Sequence, residues 1–134
     1  MRLFTALWPP SEVAAHLRDV VRRVPRRQWD EITSGARGFR LLPAELWHLT
    51  LCFHGDSSDP DALGDRLATE VQQLSERDPG LGDLRLRLAG AGTFRGVLWV
   101  GAHTANPAAE EALHGLVSAA GGDPDSFAAH LTLA

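Results

Sequence analysis

Two histidines and two threonines recur in one setting: the tetrapeptide His48-Leu49-Thr50-Leu51 returns as His130-Leu131-Thr132-Leu133. An imidazole with an ordinary pKa of about 6.5 takes or gives a proton near neutral pH. Two of them suit a reaction that needs one proton removed and another supplied, transfers that contribute about 10²–10⁴-fold in rate. A threonine hydroxyl offers one donor, suited to the non-bridging oxygens of a phosphate held between two imidazoles. Taken singly, these residues mean little, because a strand histidine is more often a surface or structural residue and threonine is simply a favoured strand residue. The repetition carries the functional reading.

Alternation along a strand decides where these side chains go. Trp47, Leu49, Leu51 and Phe53 share one face, and His48, Thr50, Cys52 and His54 share the other. The first set is apolar and is expected against helices, each side chain contributing about 1.5–3 kcal/mol on burial. In the second copy Phe127, Ala129, Leu131 and Leu133 form the apolar set, with His130 and Thr132 opposite. A slip of one residue would bury the histidine and expose the leucines, so register is strongly determined in both. If the sheets carrying the two copies face each other, they enclose a cleft holding two imidazoles and two hydroxyls.

The rest of the chain reads as scaffold. A strand is expected over 2–8, ended by Pro9-Pro10-Ser11, which offers a cap. A helix follows over 13–24, with Val13, Leu17, Val20, Val21 and Val24 on one face. Residues 26–38 read as a polar, arginine-rich loop. A second helix is expected over 60–77, capped by Asp59 with Leu63, Leu67, Val71 and Leu74 inward, and a third over 107–120, capped by Asn106 and ended by Gly121-Gly122. Antiparallel strands are expected at 84–88 and 97–100, joined by a glycine-bearing turn. A helix precedes each copy of the tetrapeptide, as in a duplicated half. The pattern suggests α+β, with mixed or antiparallel sheets carrying helices on one face.

With 134 residues, 44% of them hydrophobic, the chain has the length of one domain spanning 1–134. Its one cysteine, Cys52, permits no internal disulfide and suits a reducing cytoplasm. No apolar window has the length of a signal peptide or a membrane span. A net charge of −4 argues against coating duplex nucleic acid, while a local cationic site is compatible with it. All thirteen basic residues are arginine, and lysine and tyrosine are absent. That excludes Schiff-base lysine chemistry, a P-loop lysine and a tyrosine nucleophile. Arginine's planar fork is well suited to phosphate oxygens.

Competing motifs are weaker. Six residues of strand separate His48 from His54 by roughly 20 Å, too far to share a zinc ion bound at about 2 Å. Cys52 beside a histidine could be an activated thiol, but a small cysteine usually packs. Gly90-Ala91-Gly92-Thr93-Phe94-Arg95-Gly96 imitates a dinucleotide fingerprint with the wrong spacing, and is expected to be a hairpin turn. Phe94 within it either packs or stacks on a base. Arg85 and Arg87 form either a cationic wall for an RNA backbone or a solvated face. Arg22, Arg23, Arg26 and Arg27 gather at a helix end, where positive charge is favourable in any case. His16, His103 and His114 read as surface or loop residues.

The paired H-x-T-x motifs resemble those of the 2H phosphoesterases, specifically the bacterial and archaeal RNA 2′,3′-cyclic phosphodiesterases, also called 2′-5′ RNA ligases. MRLFTALWPP, LLPAELWHLTLCFHGD and LAGAGTFRGVLWVGA resemble that family's first strand, first motif region and central hairpin, so the likeness covers nearly the whole chain. It implies a bilobal α+β fold with helices outside and a central groove. It also implies that no metal or cofactor is needed, that His48 and His130 do the acid–base work and that Thr50 and Thr132 bind phosphate. The implied substrates are RNA 3′ ends or small nucleotides carrying a 2′,3′-cyclic phosphate, and the implied product is a 2′-phosphate. Family members commonly continue past the second motif into further strands, a helix and a substrate-binding arginine, and often have proline where Ala129 stands here. This chain stops at Ala134, as a fragment or a shortened member of the family would; a shortened member is expected to be a monomer whose His130 strand has an edge open to self-association. The competing functions are an RNA-end or nucleotide-binding module with little catalysis, and an interaction domain whose sheet edge is completed by a partner.

Overall fold

The computed structural model describes residues 2–33, 40–56, 59–94 and 97–134, the side chain of Phe94 excepted. Among these the fold is α+β, with two antiparallel sheets and four α-helices. The strands are β1 (Arg2–Leu7), β2 (Leu49–Asp56), β3 (Leu86–Phe94), β4 (Val97–Thr104) and β5 (His130–Thr132). The helices are α1 (Ser11–Arg23), α2 (Arg26–Ile32), α3 (Pro60–Arg77) and α4 (Pro107–Ala119), with short 3₁₀ turns at Ala44–Leu46, Pro79–Asp83 and Pro124–Ser126. One sheet has the order β1-β2 and the other β3-β4-β5. No described helix is long and apolar enough to cross a membrane.

The chain divides into two compact units. The first comprises Met1–Ala6, Thr50–Arg87 and His103–Ala129. Its core holds Leu51 of β2, Leu74 of α3 and Ala112, Leu113 and Val117 of α4. Both helices begin where the sequence indicates: the Asp59 carboxylate accepts from the Ala62 amide at 2.9 Å and the Asn106 amide oxygen from the Ala109 amide at 2.8 Å, each with proline next. Gly115 lets α4 approach α3, since a Cβ there would lie 2.8 Å from Leu74 Cδ1. Gly121, at φ +97°, ends α4 in the left-handed region that favours glycine.

The second unit comprises Leu7–Leu49, Leu88–Ala102 and His130–Ala134. Trp47, Leu49, Leu98, Val100, Leu131 and Leu133 are its buried centre. β5 pairs antiparallel with β4 in the register Trp99↔Thr132, Val100↔Leu131, Gly101↔His130. Backbone bonds continue past the end of β5: Leu133 N–H donates to the Leu98 carbonyl at 2.9 Å, and Leu42 N–H to the Leu133 carbonyl at 2.8 Å.

Several elements depart from expectation. The loop expected over 26–38 contains α2, because Pro25 fixes the entry and its carbonyl accepts from Gln28 N–H, while no glycine or proline interrupts Arg26–Ile32. The remainder of that stretch, 34–38, lies outside the described residues. Ser11 is the first residue of α1 rather than its cap. On α1 only Val21 is buried, and Val13 and Val20 are exposed. β3 starts at Leu86, not Leu84, and the expected glycine turn is strand as far as Phe94. Gly92 serves close approach instead: a Cβ there would lie 2.6 Å from Trp99 Cζ2. Phe53 is 55% exposed rather than buried. The cover supplied by α4 reaches Leu51, whose carbonyl would be 3.0 Å from a Cβ on Gly122, whereas Phe53 has the Arg2 guanidinium over its ring at 5.4 Å.

Candidate active site

The two copies of the tetrapeptide meet through backbone. His48 and Thr132 form an antiparallel bridge in which the Thr132 amide donates to the His48 carbonyl at 3.2 Å. Directly opposed residues of an antiparallel pair present their side chains on the same face. His48 and Thr132 therefore emerge together, and alternation adds His130 along β5 to that face. Burial follows the same rhythm: Leu49, Leu51, Leu131 and Leu133 are buried, while His48, Thr50, His130 and Thr132 are half-buried.

The tautomer of His48 follows from its partner. Nδ1 lies 2.7 Å from the Leu46 carbonyl oxygen, an atom that can only accept, so Nδ1 carries the proton. Nε2 is then the nitrogen through which the ring exchanges a proton. The same contact fixes the ring plane, as a backbone carbonyl commonly does for a working histidine. A second restraint is aromatic: the Trp8 ring lies against His48 with centroids 4.8 Å apart and planes tilted by 41°.

The ladder adds two neighbours that the tetrapeptides alone do not reveal. Thr132 is opposed on its other side by Trp99, and His130 by Gly101, so β4 offers an indole beside one and no side chain beside the other. The signal was present in the sequence, because Leu98 and Val100 are plainly core residues and alternation assigns Trp99 and Gly101 to the opposite face. Trp8 was harder to see, since it follows β1 and reaches His48 through tertiary packing.

The remaining candidates are elsewhere. Cys52 and His54 share one face of β2, with Cys52 Sγ 3.8 Å from His54 Nδ1 and His54 Nε2 2.8 Å from the Thr5 hydroxyl. Arg85 and Arg87 are exposed and line a cavity of about 400 Å³ with His103 and Thr104. Phe94 closes β3, and its side chain lies outside the described residues. Among the described residues, no three His, Cys, Asp or Glu side chains are grouped to hold a metal ion.

No family model and no curated protein matches this chain. Solved structures do. E. coli LigT in its apo form superposes with a TM-score of 0.57 at 25% identity, covering 98% of this chain and 70% of LigT. The protein TT0787 of Thermus thermophilus gives 0.56 at 26% identity, covering 99% of this chain and 73% of that one. LigT complexed with 3′-AMP gives 0.56 at 24%, over 98% of this chain and 69% of the other.

Proposed function

We propose, from the premise that this chain has the fold of the 2H phosphoesterases, that it hydrolyses 2′,3′-cyclic phosphate ends of RNA or nucleotides without a metal ion. The LigT-like fold supports phosphoester hydrolysis or ligation in general. The single observation that supports the narrower reading is the His48↔Thr132 bridge, which brings one residue of each H-x-T motif side by side.

A water oxygen attacks phosphorus in line with the 3′ oxygen. One imidazole takes the water proton, the P–O3′ bond breaks, and the other imidazole gives a proton to the departing O3′. The product is a 2′-phosphate beside a free 3′ hydroxyl, and the two histidines end with their protonation states exchanged. Thr50 and Thr132 donate to the non-bridging oxygens, where hydrogen bonds to developing charge are worth most. His48, its Nδ1–H engaged by the Leu46 carbonyl, works through Nε2 in either role. Arg85 and Arg87 offer a cationic surface to an RNA backbone. Nucleotide substrates agree with LigT, a protein solved with 3′-AMP. A reducing cytoplasm suits a protein whose one cysteine is a free thiol.

The test is turnover of adenosine 2′,3′-cyclic phosphate by the purified chain in the presence of chelator, with product identified by ³¹P NMR. Formation of the 2′-phosphate alone is expected. Binding without turnover would make the chain a nucleotide-binding module instead, and a 3′-phosphate product would refute the stated geometry of attack.

A further inference from the structure

A cavity of about 430 Å³ lies in the second unit, where the start of α1 faces the Ala44–Leu46 turn, and its wall includes Trp8, Ala15, Arg18, Glu45 and Trp47. That volume is within the range usual for small-ligand sites. Three observations point to an occupant. Trp47 is 2% exposed, and its indole Nε1 is buried without a hydrogen-bond partner among the described residues, a costly state that an acceptor on a ligand would relieve. Trp8, in the same wall, is 53% exposed, so its indole keeps open ring area beyond the contact with His48 that a base can cover. Arg18 and Glu45 place one cation and one carboxylate in a wall otherwise largely apolar.

Trp8 is also the residue that packs against His48. The cavity therefore adjoins the proposed site with a single indole shared between them.

We infer that this cavity is the subsite for the nucleotide one step 5′ of the cyclic phosphate, taking a base that bears an exocyclic amino group; the inference rests on the phosphodiesterase reading above. A base stacked on Trp8 is separated from His48 by the indole, which suits the preceding nucleotide better than the terminal one. Stacking gives sequence-tolerant affinity. The Trp47 N–H donates to a ring nitrogen or carbonyl of the base, and the Glu45 carboxylate accepts from its amino group, which uracil lacks. Arg18 meets the phosphodiester that joins the two nucleotides.

Equilibrium dialysis with the dinucleoside monophosphates ApA and UpA tests this independently of turnover. ApA is expected to bind the wild-type chain more tightly than UpA. Trp8→Ala should weaken ApA by about 5- to 150-fold, the range that loss of one stacked base produces. Ala15→Trp, which fills the cavity, should weaken it comparably while circular dichroism stays native, and Glu45→Ala should abolish the preference for ApA over UpA. Unchanged ApA affinity in both Trp8→Ala and folded Ala15→Trp would overturn the subsite, even if adenosine 2′,3′-cyclic phosphate is hydrolysed. Conversely, a chain that fails to hydrolyse that mononucleotide but binds ApA through Trp8 and the cavity retains the subsite and loses the phosphodiesterase reading.

Discussion

The two copies of the tetrapeptide differ in how they are held. The first opens an eight-residue strand, and its histidine is restrained by the Leu46 carbonyl and by Trp8. The second occupies a three-residue strand, in register with β4 and anchored by Leu133, which is wholly buried, and by backbone bonds to Leu98. The first copy has a carbonyl and an indole against its histidine, and the second lies in a ladder with β4 and is anchored by the buried Leu133. Identical sequence thus gives the same alternation of faces but not the same support. The shared part is what chemistry on one phosphate requires, and the unshared part is where substitutions of the supporting residues should act differently on the two copies.

The largest effect expected tests the shared part. His48→Ala and His130→Ala should each lower kcat for a nucleoside 2′,3′-cyclic phosphate by about 10²–10⁴-fold, the usual contribution of a positioned acid or base. Near-equal losses sharpen the equivalence of the copies, and wild-type turnover in either variant breaks it. Next in size, Leu133→Ala should cost about 2–5 kcal/mol of stability by chemical denaturation, since a fully buried side chain leaves a cavity. Because β5 is short, that loss should also depress activity of the folded fraction, whereas Leu49→Ala, in a longer strand, should leave the folded fraction more active. Thr50→Val and Thr132→Val keep shape and remove the hydroxyl. Each is expected to lower kcat/KM by about 10- to 150-fold, the value of one hydrogen bond to a charged oxygen. The smallest effect belongs to Phe53→Ser, which should cost about 0.5–1 kcal/mol of stability, the value of an exposed cation–π contact such as the one its ring makes with Arg2.

Much of this was legible in the residues. Strict alternation of leucine with histidine or threonine sets the faces of both motif strands, and Asp59-Pro60 and Asn106-Pro107 mark two helix starts by capping chemistry. Phe53 was misjudged because alternation fixes which face a side chain takes but not how far the covering helix extends along it. Gly92 reads as part of a turn because its close approach to Trp99 is a tertiary fact, invisible in a local window. Helix α2 was hidden by its polarity, since a short surface helix shows no buried stripe. The joining of the two motifs at one bridge could not be derived either, because His48 and Thr132 are brought together by sheet topology and not by anything in their own neighbourhoods. The contact of Trp8 with His48 is a tertiary one of the same kind.

The central claim is that both imidazoles act on one phosphorus atom. Titrating the chain, labelled with ¹⁵N in its histidine rings, with adenosine 2′-phosphate tests it directly. The account predicts that the ring resonances of His48 and His130 shift together, along one saturation curve at one equivalent of ligand. A shift confined to one of the two rings, or separate curves for each, would contradict it.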